Sequence, residues 1–277
     1  MMEGMTSPTP LRKYTYVFGD LHGNMRALGA LLDRLSPTQR DRLVFLGDYV
    51  DYGPQSSRVL DEVRGASRYV ASVRAVAGNH DCKHARYAAA KKAGDSVRLA
   101  SFQTGEAFLG IHASLSEEHL AWLADLPLCF RLGRYFVSHA GLPPRLELPA
   151  QYENLRAAAL RSSDPLGQLM RVRFLNEKDE PIPLGKETSG ARYWADVYAG
   201  RYGFALFGHE RHRKVAYYRH AVALDTGCGK GGRLSVLEID EEDAHRILSV
   251  DTDNPRDIRI DYPGGPDLRL RDFTPEP

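Results

Sequence analysis

At 277 residues the chain is long enough to bury a full hydrophobic core, and one domain is expected at about 100 to 200 residues per domain. Its 37 basic and 36 acidic side chains leave a formal charge of +1, which excludes a global attraction to DNA, RNA or an anionic membrane. Cys82, Cys129 and Cys228 cannot all pair with one another and lack zinc-ribbon spacing, so a reducing compartment, the cytoplasm, is expected.

No apolar run approaches the roughly 20 residues of a membrane span, and residues 1–12 lack the apolar centre of a signal peptide and read as a loose tail. Tyr14 to Phe18, all β-branched or aromatic, predict a buried strand that ends at Gly19 and delivers Asp20 and His22 into a turn. Asn24 is placed as the N-cap of a helix, because Met25, Leu28, Leu31, Leu32 and Leu35 follow at helical spacing. Leu43 to Leu46 predict a second strand, ending in Gly47-Asp48-Tyr49-Val50-Asp51-Tyr52-Gly53. A helix is expected near Ser56 to Val63, then a third strand over Tyr69 to Ala77 that stops at Gly78-Asn79-His80-Asp81. Strands alternating with helices imply parallel βαβ units, whose functional loops gather at the strands' carboxyl ends.

Residues 83–125 read as mainly helical and structural. Cys129 to Leu132 and Tyr135 to Val137 predict a hairpin around Gly133, the second strand ending in Ser138-His139-Ala140-Gly141. From Pro143 to Tyr202 the pattern weakens into short helices and turns, an insert placed to shape a substrate mouth. Phe204 to Phe207 then lead to Gly208-His209-Glu210. Val215 to Tyr218, Ala221 to Leu224, Leu234 to Ile239 and Ile247 to Val250 predict an antiparallel meander, and residues 252–277 a C-terminal tail. One domain thus spans residues 13–251.

Five strand ends supply Asp20, His22, Asp48, Asn79, His139 and His209, an oxygen and nitrogen donor set without thiolate that suits manganese, iron or zinc. Any one of these residues alone is as well explained by a turn or a satisfied core histidine. Together, six donors from five glycine-bearing strand ends at one edge argue for two ions bridged by Asp48, the arrangement that clamps a phosphoryl group. His84, His112, His119, His220 and His245 lack this context and are assigned structural roles.

These motifs, with Gly19-Asp20-Leu21-His22-Gly23 first and Gly208-His209 last, resemble in order those of calcineurin-like metallophosphoesterases. The likeness runs from about residue 14 to 239 and is closest to the phosphoprotein phosphatase group, which includes bacterial serine/threonine phosphatases and symmetrical diadenosine tetraphosphatases. The resemblance implies an α/β fold, a central four-layer β-sandwich flanked by helices, with a dimetal site at strand ends. It further implies that Asp20, His22 and Asp48 hold one metal and Asp48, Asn79, His139 and His209 the other. His80 would be the general acid and Asp51 the carboxylate that orients it. The cofactors implied are two divalent ions, Mn2+ first, with Fe or Zn as the other choices.

Two features depart from the family's pattern. Tyr52 stands where the pattern has arginine, and a phenol is no substitute for a bidentate guanidinium. Arg211 stands where many other metallophosphoesterases have histidine, which favours the phosphoprotein phosphatase branch and leaves His212 out of register. Arg171 and Arg173, in a stretch resembling the Arg-x-Arg-Phe of diadenosine tetraphosphatases, are candidates to bind substrate phosphate beside Tyr52. Gly227, Gly229, Gly231 and Gly232 are read as permitting a tight turn. The expected reaction is hydrolysis of a phosphate ester or anhydride by a metal-bound hydroxide. A phosphomonoesterase of the serine/threonine protein phosphatase type comes first, a symmetrical bis(5'-nucleosyl)tetraphosphatase second, and a non-catalytic phosphate-binding scaffold is the alternative of another class. The expected partner is therefore a phosphorylated protein or nucleotide, with no specific nucleic-acid binding and no membrane.

Overall fold

A computed structural model describes residues 12–102, 104–161 and 163–261. Of the tail expected over residues 1–12, only Arg12 is described, and it pairs with Asp240 at 2.8 Å. In chain order, strand β1 (Tyr14–Phe18), helix α1 (Met25–Leu35), β2 (Arg42–Phe45), α2 (Ser56–Gly65) and β3 (Ser72–Ala75) form two parallel βαβ units. Helices α3 (Asn79–Lys92), α4 (Ser96–Ser101), α5 (Glu106–Ser114) and α6 (Glu117–Asp125) follow. The hairpin around Gly133 is β4 (Cys129–Leu132) and β5 (Tyr135–Ser138). The insert contributes a short ladder of β6 (Phe174–Leu175) and β7 (Arg192–Tyr193), and one turn of helix, α7 (Trp194–Val197).

Strands β8 (Phe204–Phe207), β9 (Ala216–Tyr218) and β10 (Ala221–Ala223) join β4 and β5 in a five-stranded sheet. Strands β11 (Asp225–Thr226), β12 (Arg233–Asp240), β13 (His245–Asp251) and β14 (Ile258–Asp261) join β1, β2 and β3 in a seven-stranded one. The expected meander is therefore split. β10 pairs in parallel with β8, and the chain crosses between Leu224 and Asp225 to the other sheet, where β11 pairs with β12. Val222 and Leu224 fit the space between sheets as well as a meander would, so apolar pattern alone does not reveal the crossing. The expected boundary at residue 251 also moves, because β14 continues the sheet by pairing with β13.

The side-chain alternation of a strand explains the layers. Val17, Val44 and Leu46 point inward and pack with Phe130, Val137, Leu206 and Val222 of the facing sheet. Tyr16, Phe18, Leu43 and Phe45 point outward into a cluster with Leu28 and Leu31 of α1 and Val59 and Leu60 of α2. On the far side Phe207 meets Trp194 at 4.6 Å between ring centroids, so the insert covers the second sheet. Each such buried Val, Leu or Phe contributes about 1.5 to 3 kcal/mol. The result is a sandwich covered on both faces. The third strand is shorter than expected, because Ala66–Arg68 form a 3-10 turn and Val70 packs as a loop residue. No helix among the described residues is long and apolar enough to cross a membrane.

Candidate active site

The carboxyl ends of β1, β2, β5 and β8, with the start of α3, bring the predicted donors to one edge of the sandwich. Asp20, His22 and Asp48 form one group whose ligand atoms lie within 4.8 Å of one another, and Asp48, His139 and His209 form a second. Asp48 belongs to both. Asn79 joins the second group through Oδ1, 3.2 Å from His139 Nε2. His22 donates Nδ1–H to the Val50 carbonyl at 2.9 Å, and His139 donates its own to Leu46 at 2.8 Å. Both rings therefore turn a basic Nε2 towards Asp48 Oδ2, at 3.6 and 3.4 Å.

Backbone geometry shows how tightly these loops are specified. Among the described residues, five of the eight non-glycine positions with positive φ are His22, Asp48, Asp51, Tyr52 and His209. A left-handed conformation at such residues costs on the order of 1 to 3 kcal/mol each and persists only where the surroundings over-determine it. The buried Asp81 does part of that work: its carboxylate accepts from the backbone N–H groups of Asp48, Tyr49 and Gly78 at 2.8, 3.0 and 2.8 Å. It thereby ties the second strand end to the first turn of α3. Glycine is required beside two of the carboxylates, since a Cβ at Gly78 or Gly208 would lie 2.0 Å from Asp48 Oδ1 or Asp20 Oδ1.

His80 stands next to this cluster in the first turn of α3. Its Nδ1–H donates to Asp51 Oδ2 at 2.6 Å, which leaves Nε2 facing the cavity. Burial lowers its pKa, but the carboxylates of Asp48 and Asp51 outweigh that and push it up to about 9. Asp51 is held at both ends. Its Oδ1 accepts from Nε2 of the fully buried His84 at 2.9 Å, and His84 Nδ1 lies 3.2 Å from His112 Nδ1. Burial raises the Asp51 carboxyl, yet hydrogen bonds from His80 and His84 prevail and hold it well below the usual range. His84, assigned a structural role from the sequence, thus supports the site. The signal lies in the spacing: His80 and His84 are four residues apart, one above the other on a helix.

Matches to known proteins agree with this geometry: the calcineurin-like phosphoesterase family aligns with residues 14–217. The chain belongs to that family. A protein of Methylococcus capsulatus named symmetrical bis(5'-nucleosyl)-tetraphosphatase is 29% identical over 265 residues, covering 81% of this chain and 91% of the relative. One of the same name from Pectobacterium atrosepticum is 30% identical over 295 residues, covering 89% and 99%. Among solved structures, one named "putative diadenosine tetraphosphatase" superposes with a TM-score of 0.65 at 26% identity, covering 87% of this chain and 95% of that one. A Saccharomyces cerevisiae protein serine/threonine phosphatase reaches 0.57 at 15% identity over 95% and 84%, a likeness of fold.

The electrostatics of this calcineurin-like site fit divalent ions. Burial, then Asp225 and Asp48, push the Asp20 carboxyl well above its ordinary range. Burial acts on Asp48 in the same sense but is overcome by His139 and His80, and that carboxyl lies well below the range. His22 and His209 are lowered, first by burial, so both favour the neutral form that binds a metal. Burial works against the His139 cation, but Asp48 outweighs it and raises that imidazole, so Asp20 and Asp48 beside the neutral His22 and His209 make a donor set that cations relieve of its excess negative charge. Asp225, which is not one of the donors at the five strand ends, acts on Asp20 as a third carboxylate beside Asp48 and sits at the crossing between sheets.

A cavity of about 340 Å³ opens over the cluster, lined among others by Tyr52, His80, Leu184 of the insert, Arg173 and Lys230. Of the expected phosphate-binding residues, Tyr52 and Arg173 reach it and Arg171 does not line it. The Arg173 guanidinium is already bonded to Glu210. Arg171 contributes its carbonyl, 3.3 Å from His209 Nε2. His212 is drawn away from the cluster, its ring lying against Tyr193 and Tyr218.

Proposed function

We infer that the protein is a symmetrical dinucleoside tetraphosphatase with two divalent ions, manganese foremost. Asp20, His22 and Asp48 would hold one ion, and Asp48, Asn79, His139 and His209 the other. Likeness along nearly the whole chain to proteins named symmetrical bis(5'-nucleosyl)-tetraphosphatase carries the substrate. It displaces the phosphomonoesterase expectation, whose motif order is common to both kinds of enzyme. The buried, free Cys82, Cys129 and Cys228 support a reducing, cytoplasmic setting.

Bound ions would polarise the phosphoryl oxygens and lower the pKa of water. The protein's own part is to place and protonate. His80, cationic at neutral pH beside Asp51, gives its proton to the bridging oxygen as the central P–O bond breaks, while the hydroxyl of water joins the phosphorus on the other side, and the water's remaining proton passes to solvent, from which His80 is reprotonated. Two nucleoside diphosphates result. Asp51 keeps Nδ1 of His80 protonated, and His84 keeps Asp51 in place. A scaffold reading is disfavoured by this intact acid, which phosphate binding alone does not need.

The test is to offer manganese-loaded protein diadenosine tetraphosphate, phosphopeptides and p-nitrophenyl phosphate. The highest specificity constant is expected for the tetraphosphate, with ADP as its only nucleotide product. ATP with AMP, or a preference for phosphopeptides, would overturn the reading.

A further inference from the structure

The cavity wall holds three cations, Arg173, Arg211 and Lys230, and they are not equivalent. Arg173 is bonded to Glu210, so its charge is largely compensated before any ligand arrives. Arg211 packs its stem against Gly227, where a Cβ would lie 2.7 Å from Arg211 Cδ, and neither ring nor carboxylate fixes its guanidinium among the described residues. Lys230 is fixed without being neutralised. Its ammonium lies over the Tyr52 ring, 5.3 Å from the centroid, and among the described residues it has no carboxylate partner.

Both halves of that pair are anchored to the reacting centre. The Tyr52 ring meets His22 edge-on at 4.8 Å and lies 5.3 Å from His80, between centroids. Lys230 closes the 3-10 turn Cys228–Lys230, bracketed by Gly227 and Gly231 in left-handed conformations. The turn is pressed onto the site: a Cβ at Gly229 would lie 2.6 Å from His22 Cδ2, and Cys228 Sγ–H reaches the Leu21 carbonyl at 3.3 Å. A cation on an aromatic face keeps most of its hydration and its full charge, unlike one in an ion pair, and so stays available to an anion.

We propose that Lys230, seated on Tyr52, is the cation that takes the substrate's nonbridging phosphate oxygens beside the metal donors. This rests on the tetraphosphatase reading for the identity of the ligand, a nucleoside polyphosphate, whose several charges exceed what one phosphoryl site neutralises. Tyr52 thus serves as the platform for a charge delivered from the opposite wall. The pair is a specificity device: an ammonium presented by an exposed stem accommodates successive phosphates of a chain, where a rigid guanidinium fork fits one.

The experiment is calorimetric titration of ADP into manganese-loaded wild type, Lys230→Met, Lys230→Arg, Tyr52→Leu and the Lys230→Met/Tyr52→Leu double variant, with metal content measured on each. Lys230→Met should weaken ADP binding about 5-fold to 50-fold with both ions retained, and Lys230→Arg should recover most of the loss. Tyr52→Leu should weaken it about 2-fold to 5-fold, and add little on top of Lys230→Met, since the ring acts through the ammonium. Equal ADP affinity in wild type and Lys230→Met, or no ADP binding by either, overturns the proposal. Independent effects of the two positions overturn the role of Tyr52. Failure of wild type to hydrolyse the tetraphosphate would instead count against the function, and the ADP comparison would still decide the role of Lys230.

Discussion

Asp48 and Lys230 line the same cavity, yet the protein holds them by opposite means. Asp48 is buried, its own N–H is bonded to Asp81, its Oδ1 accepts from the His80 N–H at 3.1 Å, and two imidazoles face its Oδ2. Lys230 is exposed and rests on one ring. A reacting centre needs donors placed to a fraction of an ångström, so it is built at strand ends, where backbone hydrogen bonds set every angle. Substrate choice tolerates looser placement, and the opposing wall is built from long side chains on turns. Substitutions at the strand ends should therefore act on chemistry and be large, and those in the wall should act on binding and be modest.

Beyond the metal donors themselves, the largest effect is expected for His80→Asn. On alkyl phosphates it should cost about 100-fold to 10,000-fold in kcat with both ions retained, because a bare alkoxide leaves poorly. On diadenosine tetraphosphate the loss should be smaller, because the departing diphosphate bears a phosphate whose second ionisation lies near about 6. Parallel kinetics and metal analysis check this. Equal losses on both substrates, or departure of metal, would place His80 among the ligands.

Asp51→Asn tests the same dyad through pH. As the proposed acid, His80 would act while protonated, below its raised pKa of about 9, and that activity would be lost as pH rises through that value. Removing the Asp51 carboxylate removes one of the groups that raise it, so the alkaline fall in kcat should move to lower pH by about one unit or more. An alkaline limb that stays in place would deny the coupling. His84→Ala should lower kcat about 3-fold to 10-fold at constant KM, with His84→Gln recovering part through its amide donor, as a group acting through Asp51 requires. An unchanged kcat would return His84 to a packing role.

In the wall, Arg173→Ala should reduce the specificity constant only about twofold to threefold, since Glu210 already compensates the guanidinium. A loss of about 30-fold or more would show that Arg173 leaves Glu210 for the substrate.

The same contrast explains which features the amino-acid sequence discloses on its own. Gly-Asp, Gly-Asn and Gly-His at strand ends are legible because a glycine that admits a carboxylate at 2.0 Å from a hypothetical Cβ leaves a local signature, as at Gly78 and Gly208. The parallel strand-helix alternation is legible from periodicity for the same local reason. The crossing at Asp225 is not, because the apolar pattern of Ala221 to Leu224 is the same whichever sheet receives the next strand. Nor is the pairing of Arg173 with Glu210, of Lys230 with Tyr52 or of His84 with Asp51, which are set by tertiary placement across at least 33 residues of chain, as for His84.

The most direct test is the count of ions per chain in wild type and Asp48→Asn, measured side by side after manganese loading and desalting. Asp48 is the one donor common to both groups, so two ions are predicted in wild type and fewer than one in the variant, with hydrolysis falling by roughly 1,000-fold or more. One ion in wild type, or two retained by Asp48→Asn with its activity intact, would contradict a bridged two-metal centre.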